Sequence, residues 1–207
     1  MKETNPQDPE NMAGYIESLP EDLSTAWLQG LEKPLPNFSK IEKVLISGMG
    51  GSAIGGDLFA SYLSPLAHIP IISRRDYGLP AWAKGPETLV ICSSHSGNTE
   101  ETLSSFKVAR ERGCSLLAIS TGGALQREAL TSGVTHWFFN HTGQPRTAIG
   151  WSFGLLLALA VRLDLIHNQQ KDIDKAVAIM KEQYQLLEPS SPLTENPAKR
   201  LAGQLLD

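Results

Sequence analysis

Five short apolar runs constrain the fold of this chain more than any other feature. Each run is followed by a segment with helical periodicity or by a polar loop. Strands that alternate with helices are joined by right-handed crossovers and build a parallel sheet. The pattern therefore predicts an α/β protein with a doubly wound, five-stranded parallel sheet. We assume the flavodoxin-like strand order 2-1-3-4-5, because that order suits five such units. The predicted strands are residues 43–47, 69–73, 88–93, 115–120 and 135–139.

Further helical segments flank the predicted sheet. The pattern places N-terminal helices within residues 1–40, the α/β domain over residues 41–168, and a helix and linker over residues 169–207. The N-terminal helices are expected to pack on the main domain or, alternatively, to form a dimer arm. The apolar run of residues 149–161 is too short to span a membrane and predicts a buried helix.

Charge and composition exclude several classes of protein. The 207 residues carry a formal net charge of −4, and the longest basic cluster is Arg74-Arg75, which argues against a nucleic-acid partner. The polar N-terminus lacks an apolar signal region, so the expected location is the cytoplasm, without membrane association. Cys92 and Cys114 fall in apolar runs and are expected to be buried thiols rather than a disulfide or metal pair.

Small polar side chains are concentrated in the stretch that follows the third run, residues 93–102. A strand that turns into a helix exposes unpaired backbone N–H groups, and the helix dipole adds to their attraction for an anion. The hydroxyls of Ser94, Ser96 and Thr99 supply further donors. The stretch predicts a phosphate-binding loop; the alternative is an ordinary helix N-cap, which needs only one such residue.

A glycine-rich stretch, residues 48–53, follows the first run and fits the pattern G-x-G-x-x-[G/A]. Alone, it is compatible with an NADP-binding oxidoreductase, in which Asp76 would bind the ribose and Arg74 and Arg75 a 2′-phosphate. The polar loop after the third run argues against this alternative, because a dinucleotide fold has no need for it. In the assumed strand order, both loops face the crevice where such sheets bind ligands.

Residues 50–57, residues 94–102 and Gln144-Pro145-Arg146 occur in this order along the chain. Together they resemble the sugar isomerase (SIS) domain, and more narrowly the bifunctional phosphoglucose/phosphomannose isomerases. The resemblance covers residues 41–207. It implies that the phosphate of the sugar is held by Ser94, Ser96 and Thr99, that the sugar is covered by Gly50, Gly51 and Ser52, and that the enediolate is stabilised by Arg146.

The resemblance also implies an activity, the isomerisation of glucose 6-phosphate and mannose 6-phosphate to fructose 6-phosphate. It implies a homodimer that uses neither cofactor nor metal. In the family the catalytic base and the ring-opening histidine come later, with a second SIS domain, so we expect both beyond Asp207 and expect this chain to be catalytically incomplete. The alternative is a regulatory module that senses a phosphosugar.

Several other polar residues have side-chain chemistry that could serve either function or structure. Arg146 follows the fifth run and has the planar charge that suits an enediolate, although a surface ion pair is the alternative. Glu100 and Glu101 fall in the first turn of a predicted helix, where the dipole favours acids without any catalytic role. His95 departs from the tyrosine or threonine common in the family, and we assign it no catalytic role. His136, His141 and His167 show no metal-ligand spacing.

Overall fold

The computed structural model describes residues 8–205 and contains one parallel sheet. The strands lie in the order β2-β1-β3-β4-β5, and each neighbouring pair is parallel. The predicted α/β fold and its flavodoxin-like strand order are therefore confirmed. The strands are β1 Lys43–Ser47, β2 Ile71–Arg74, β3 Thr88–Ser94, β4 Ser115–Ser120 and β5 His136–Phe138.

Helices cover both faces of the sheet and extend from it at both ends of the chain. Among the helices of residues 8–205, none is both long and apolar enough to cross a membrane. A short 3-10 turn, Pro145–Thr147, follows β5. The α-helices are α1 Met12–Glu17, α2 Leu19–Glu32, α3 Gly50–Leu63, α4 Glu100–Glu111, α5 Gly123–Thr131, α6 Ile149–Arg162, α7 Gln170–Leu187 and α8 Pro197–Gln204.

Alternating side chains of each strand enter two separate hydrophobic cores, because successive residues of a strand point to opposite faces of the sheet. In β1, Val44 and Ile46 join the core that includes α2, α3 and α6, whereas Leu45 joins the core that includes α4 and α5. A parallel sheet covered on both faces reads as continuous apolar runs. This is why the runs alone locate β1, β3 and β4 to within one residue.

Helix α2 packs against α6 and does not project from the domain. Leu23 and Trp27 are buried in the core that includes one face of the sheet. The two helices approach closely at Gly30, where an added Cβ would lie 2.6 Å from the Cβ of Ala158. The indole N–H of Trp27 donates to the side-chain oxygen of Gln170 at 2.6 Å. Of the two arrangements expected for the N-terminal helices, packing on the main domain is the one observed.

The observed element ends differ from the predicted ones by a few residues. In the N-terminal helices, the Asp8 carboxylate accepts the N–H groups of Met12 and Ala13 at 2.7 and 2.9 Å, and α1 begins at Met12. Strand β2 begins at Ile71, two residues later than predicted, since Pro70 has no N–H to contribute to the ladder.

Candidate functional site

Two loops meet where helices α3 and α4 begin, at the carboxyl edge of the neighbouring strands β1 and β3. We call residues 48–53 the glycine loop and residues 94–99 the anion loop. Neither helix has a hydrogen bond from a capping side chain at its N-terminus. First-turn N–H groups have no acceptor within their own helix, so both N-termini offer donors and the positive end of a dipole.

The turn between β4 and α5 holds the anion loop in place. The N–H of Leu125 donates to the carbonyl oxygen of Gly97 at 2.8 Å, and the preceding N–H donates to the side-chain oxygen of Asn98 at 2.9 Å. Gly97 has a φ of +67°, and an added Cβ would lie 1.8 Å from the carbonyl oxygen of Gly122. The N-terminus of α5 is thus occupied in positioning the loop, whereas that of α4 has no such partner among the described residues.

The three hydroxyls predicted to bind phosphate occupy different positions in the anion loop. Ser94 is buried; its Oγ accepts the N–H of Gly97 at 3.0 Å and lies 2.8 Å from Thr99 Oγ1. Ser96 is exposed, and its Oγ accepts the N–H of Asn98 at 3.2 Å. A hydroxyl that accepts one hydrogen bond still has its own hydrogen to donate. Ser96 and Thr99 can therefore donate outward, while Ser94 orders the loop from within.

The glycine loop contacts both of the other predicted motifs. Gly50 begins α3 with a φ of +52°. At Gly51 an added Cβ would lie 2.5 Å from the carbonyl oxygen of Pro145. The Ser52 hydroxyl accepts the backbone N–H of His95 at 3.0 Å. The residues predicted to cover the sugar therefore lie between the anion loop and the segment that carries the predicted arginine.

Arg146 stands in the 3-10 turn before α6; we call residues 144–147 the arginine turn. Its side chain is exposed, and none of the ion pairs within residues 8–205 includes it. The surface ion pair considered as its alternative role is therefore not observed. Because Pro145 touches Gly51, the backbone on which this guanidinium stands lies directly against the glycine loop.

A pair of histidines joins the anion loop to the arginine turn. His95 Nε2 lies 2.9 Å from His141 Nδ1, and His141 Nε2 lies 3.3 Å from Thr147 Oγ1. Burial lowers the pKa of both imidazoles; His141 lowers the pKa of His95 further, whereas Asp22 acts to raise that of His141. Sequence reasoning missed this connection. The two histidines are 46 positions apart, and no spacing rule connects them.

The acidic residues at the start of α4, Glu100 and Glu101, lie in its first turn, and Glu100 has a structural partner. Glu100 accepts the hydroxyl of Tyr77 at 3.0 Å, and this hydrogen bond raises the pKa of Tyr77. The position of Glu100 and Glu101 in the first turn agrees with their predicted favourable interaction with the dipole. Within residues 8–205, no group of three or more histidine, cysteine or acidic side chains is placed to hold a metal ion.

The side chains that an NADP-binding site would need are engaged elsewhere. Arg74 donates to the carbonyl oxygen of Gly78 at 3.3 Å and forms an ion pair with Asp76 at 3.1 Å. Arg75 forms an ion pair with Asp57 of α3. In this arrangement the arginines stabilise the β2–β3 connection and the outer face of α3, and the geometry gives no support to the dinucleotide alternative.

Comparison with known proteins agrees with the resemblance found in the motifs. A bifunctional phosphoglucose/phosphomannose isomerase from Caldicellulosiruptor bescii is 40% identical over 191 residues, which is 92% of this chain and 56% of that protein. The protein of the same name from Aquifex aeolicus is 31% identical over 174 residues, 78% of this chain and 54% of that protein. No protein-family model matches. The chain spans about half the length of these curated relatives.

The fold also has solved counterparts. Tagatose-6-phosphate ketose/aldose isomerase from Escherichia coli superimposes with a TM-score of 0.55 and 20% identity, over 82% of this chain and 52% of that one. At this identity the likeness concerns the fold alone. The sequence comparisons place the chain among the relatives of bifunctional phosphoglucose/phosphomannose isomerases, and its five-stranded parallel sheet has the fold of phosphosugar isomerase domains.

Proposed function

We propose that this chain binds the phosphate of a hexose 6-phosphate and forms the phosphosugar-binding part of an aldose–ketose isomerase. The proposed reaction converts glucose 6-phosphate or mannose 6-phosphate into fructose 6-phosphate through an enediolate. One observation carries the proposal: at one edge of the sheet the glycine loop contacts both the anion loop and the arginine turn, and His141 bridges those two. The activity named for the relatives supports the choice of reaction.

The anion loop would hold the phosphate with neutral donors. Hydroxyls of Ser96 and Thr99 would donate from the loop, with Ser94 fixing Thr99, and the first N–H groups of α4 would donate from the helix. Residues 93–102 contain no lysine or arginine. Specificity for a phosphate would therefore depend on the geometry of the donors and on the helix dipole rather than on a counter-charge in the loop.

Arg146 would act at the opposite end of the sugar. Deprotonation next to the carbonyl spreads negative charge over two adjacent oxygens, and a planar guanidinium can donate to both. An interaction that strengthens as this charge develops lowers the barrier more than it improves binding of the ground state. Gly50, Gly51 and Ser52 would keep the sugar between this charge and the phosphate.

Isomerisation also requires a base that moves a proton between C1 and C2 and a group that opens the ring. The resemblance assigns neither role to a residue of this chain. We therefore propose that the 207-residue chain binds hexose 6-phosphate but does not turn it over. Each positioned acid–base group contributes typically about 10²–10⁴-fold, so the absence of both would leave the rate near background.

Calorimetry with glucose 6-phosphate, combined with a coupled assay for fructose 6-phosphate, tests this proposal. We expect binding without turnover, and we expect Thr99→Val to weaken binding about tenfold through loss of a hydrogen bond to an anion. Thr131→Val is the matched control, because Thr131 is exposed on α5 and its hydroxyl donates only to the carbonyl oxygen of Arg127. A folded chain that binds no hexose 6-phosphate would refute the proposal.

The same proposal includes a homodimer in the cytoplasm. Exposed apolar side chains on α3 and the edge strand β2 provide a surface for a second copy, since Ile54, Leu58 and Ile72 are each more than 40% exposed. Both thiols, Cys92 and Cys114, are free, as is usual for cytoplasmic proteins. Sedimentation equilibrium of the chain and of Leu58→Arg tests the dimer, and a monomeric parent chain would refute it.

A further inference from the structure

We propose that His95 and His141 are positioning residues that lock the arginine turn to the anion loop and thereby fix the place of Arg146. The inference rests on the proposed function only for the role of Arg146 in stabilising the enediolate. The lock itself is a matter of hydrogen bonds between described residues, and it can be measured without any ligand.

The position of Arg146 depends on its backbone, because its own side chain enters no ion pair with residues 8–205. Three contacts hold that backbone. Gly51 touches the carbonyl oxygen of Pro145 on one side, and the Gln144 side chain donates to Glu10 at 2.6 Å on another. The third contact is the Thr147 hydroxyl, which is almost fully buried and faces His141.

The hydrogen bonds around this hydroxyl determine which ring nitrogens carry protons. Thr147 donates its single hydroxyl hydrogen to the carbonyl oxygen of Gln144 at 2.8 Å, so it must accept from Nε2–H of His141. A neutral His141 then has an unprotonated Nδ1, which must accept from Nε2–H of His95. The chain of donors runs in one direction, from the anion loop to the arginine turn, and each donated hydrogen in it has an acceptor.

His141 has to be neutral for this arrangement, because a protonated Nδ1 of His141 would face the Nε2–H of His95 donor to donor. The lowered pKa values of both rings agree with that requirement. The anion-loop end of the chain is fixed as well. The backbone N–H of His95 donates to Ser52, and its carbonyl oxygen accepts the N–H of Thr121 at 3.1 Å.

The pair is also held from the N-terminal helices. The ring of Tyr15 packs at 5.5 Å from the ring of His141, and its hydroxyl lies 3.5 Å from that of Thr142. An added Cβ at Gly143 would lie 2.7 Å from the Tyr15 ring. Helix α1 therefore supports the segment that leads into the arginine turn, and it gives His141 one packed orientation.

The first test measures the lock without a ligand. Nitrogen-15 spectra of the imidazoles at neutral pH should show Nε2 protonated and Nδ1 unprotonated in both residues. In His95→Phe, the exchange of the Thr147 amide, which donates to Gln144, should accelerate about tenfold because its turn loses a tether. His136→Phe is the matched control, since His136 is also partly buried and bonded to a hydroxyl, that of Ser120 at 2.8 Å. A protonated Nδ1 on His141, or an unchanged exchange rate, overturns the proposal.

The second test measures the effect on Arg146. The probe is a phosphorylated hydroxamate analogue of the enediolate, compared with inorganic phosphate. His141→Phe should weaken the analogue about tenfold and inorganic phosphate less than about twofold, since the anion loop keeps its own bonds. In an Arg146→Gln background, His141→Phe should not weaken binding of the analogue any further. Additive losses, or equal losses for both probes, overturn the proposal. A folded parent chain that binds neither probe refutes the proposed function instead and leaves the lock to the spectra and the exchange rates.

Discussion

The glycine loop and the anion loop begin alike, each between a strand of the same sheet and the helix that follows, yet they are held in different ways. The glycine loop is defined by missing side chains, since Gly51 lets the arginine turn approach to contact distance. The anion loop is defined by hydrogen bonds, from Ser94 within it and from the start of α5 beside it. One loop places a neighbouring residue, and the other presents its own donors.

The largest effect is expected from Gly97→Ala, because the anion loop also depends on one position that has no side chain. Gly97→Ala would place a Cβ on the carbonyl oxygen of Gly122 at a left-handed φ, so either the loop or the β4–α5 turn must move. We expect a loss of about 3 kcal/mol or more in the free energy of unfolding, measured with urea, and loss of glucose 6-phosphate binding.

Gly113→Ala is the matched control for this change. Its φ is +66°, almost the same as that of Gly97, but apart from its chain neighbours no atom of residues 8–205 lies within 4 Å of the added Cβ. It should cost only the left-handed penalty of about 1–2 kcal/mol and leave binding intact. Equal losses in the two variants would show that the contact with Gly122 does not hold the loop.

A smaller and more specific effect is expected in the glycine loop. Gly51→Ala would push the carbonyl oxygen of Pro145 away and displace Arg146, while the hydrogen bonds of the anion loop stay in place. Affinity for the enediolate analogue should fall about tenfold, with inorganic phosphate little affected. Gly203→Ala in α8 adds a Cβ that approaches no distant part of residues 8–205 within 4 Å, and it is the control. Parallel losses for both probes would contradict the division of roles between the loops.

Much of this architecture could be predicted from the sequence because it rests on local patterns. Buried parallel strands read as apolar runs, and the loops after them read as glycine and hydroxyl clusters, so β1 and β4 were predicted with their observed ends. The strand order was an assumption that the structure confirmed. The buried state of Ser94 could not be predicted, because nothing in the sequence distinguishes its hydroxyl from that of Ser96.

The part that sequence reasoning could not reach is the set of contacts between the loops. The bond between His95 and His141 and the contact between Gly51 and Pro145 join residues from different strand ends. Such contacts depend on how far the crossovers bring each loop over the edge of the sheet. Neither the family pattern, from which His95 departs, nor the spacing of His141 indicates them, and His95 is assigned no catalytic role from the sequence.

The smallest expected effect is a dependence of stability on pH. It also distinguishes the two loops, because only the anion loop contains a titratable side chain. The glycine loop contains no titratable side chain, whereas the anion loop and the segment before the arginine turn contribute His95 and His141. Burial lowers the pKa of both below the ordinary value of about 6.5, and that of His136 as well. Below about pH 6.5 the unfolded chain therefore binds more protons at these histidines than the folded chain does. The free energy of unfolding must then decrease as the pH falls below about 6.5.

We expect the free energy of unfolding to be level above about pH 7.5 and to decrease below about pH 6.5, by less than about 1.4 kcal/mol per pH unit for each histidine, since these rings are only partly buried. The raised pKa of Asp22 works in the opposite direction, but in the lower range where carboxyl groups titrate. His141→Phe should reduce the slope, because it removes one of the histidines whose pKa burial lowers. A stability that stays constant from about pH 7.5 to 5.5 would contradict neutral, buried imidazoles and with them the one-directional hydrogen-bond chain to the arginine turn.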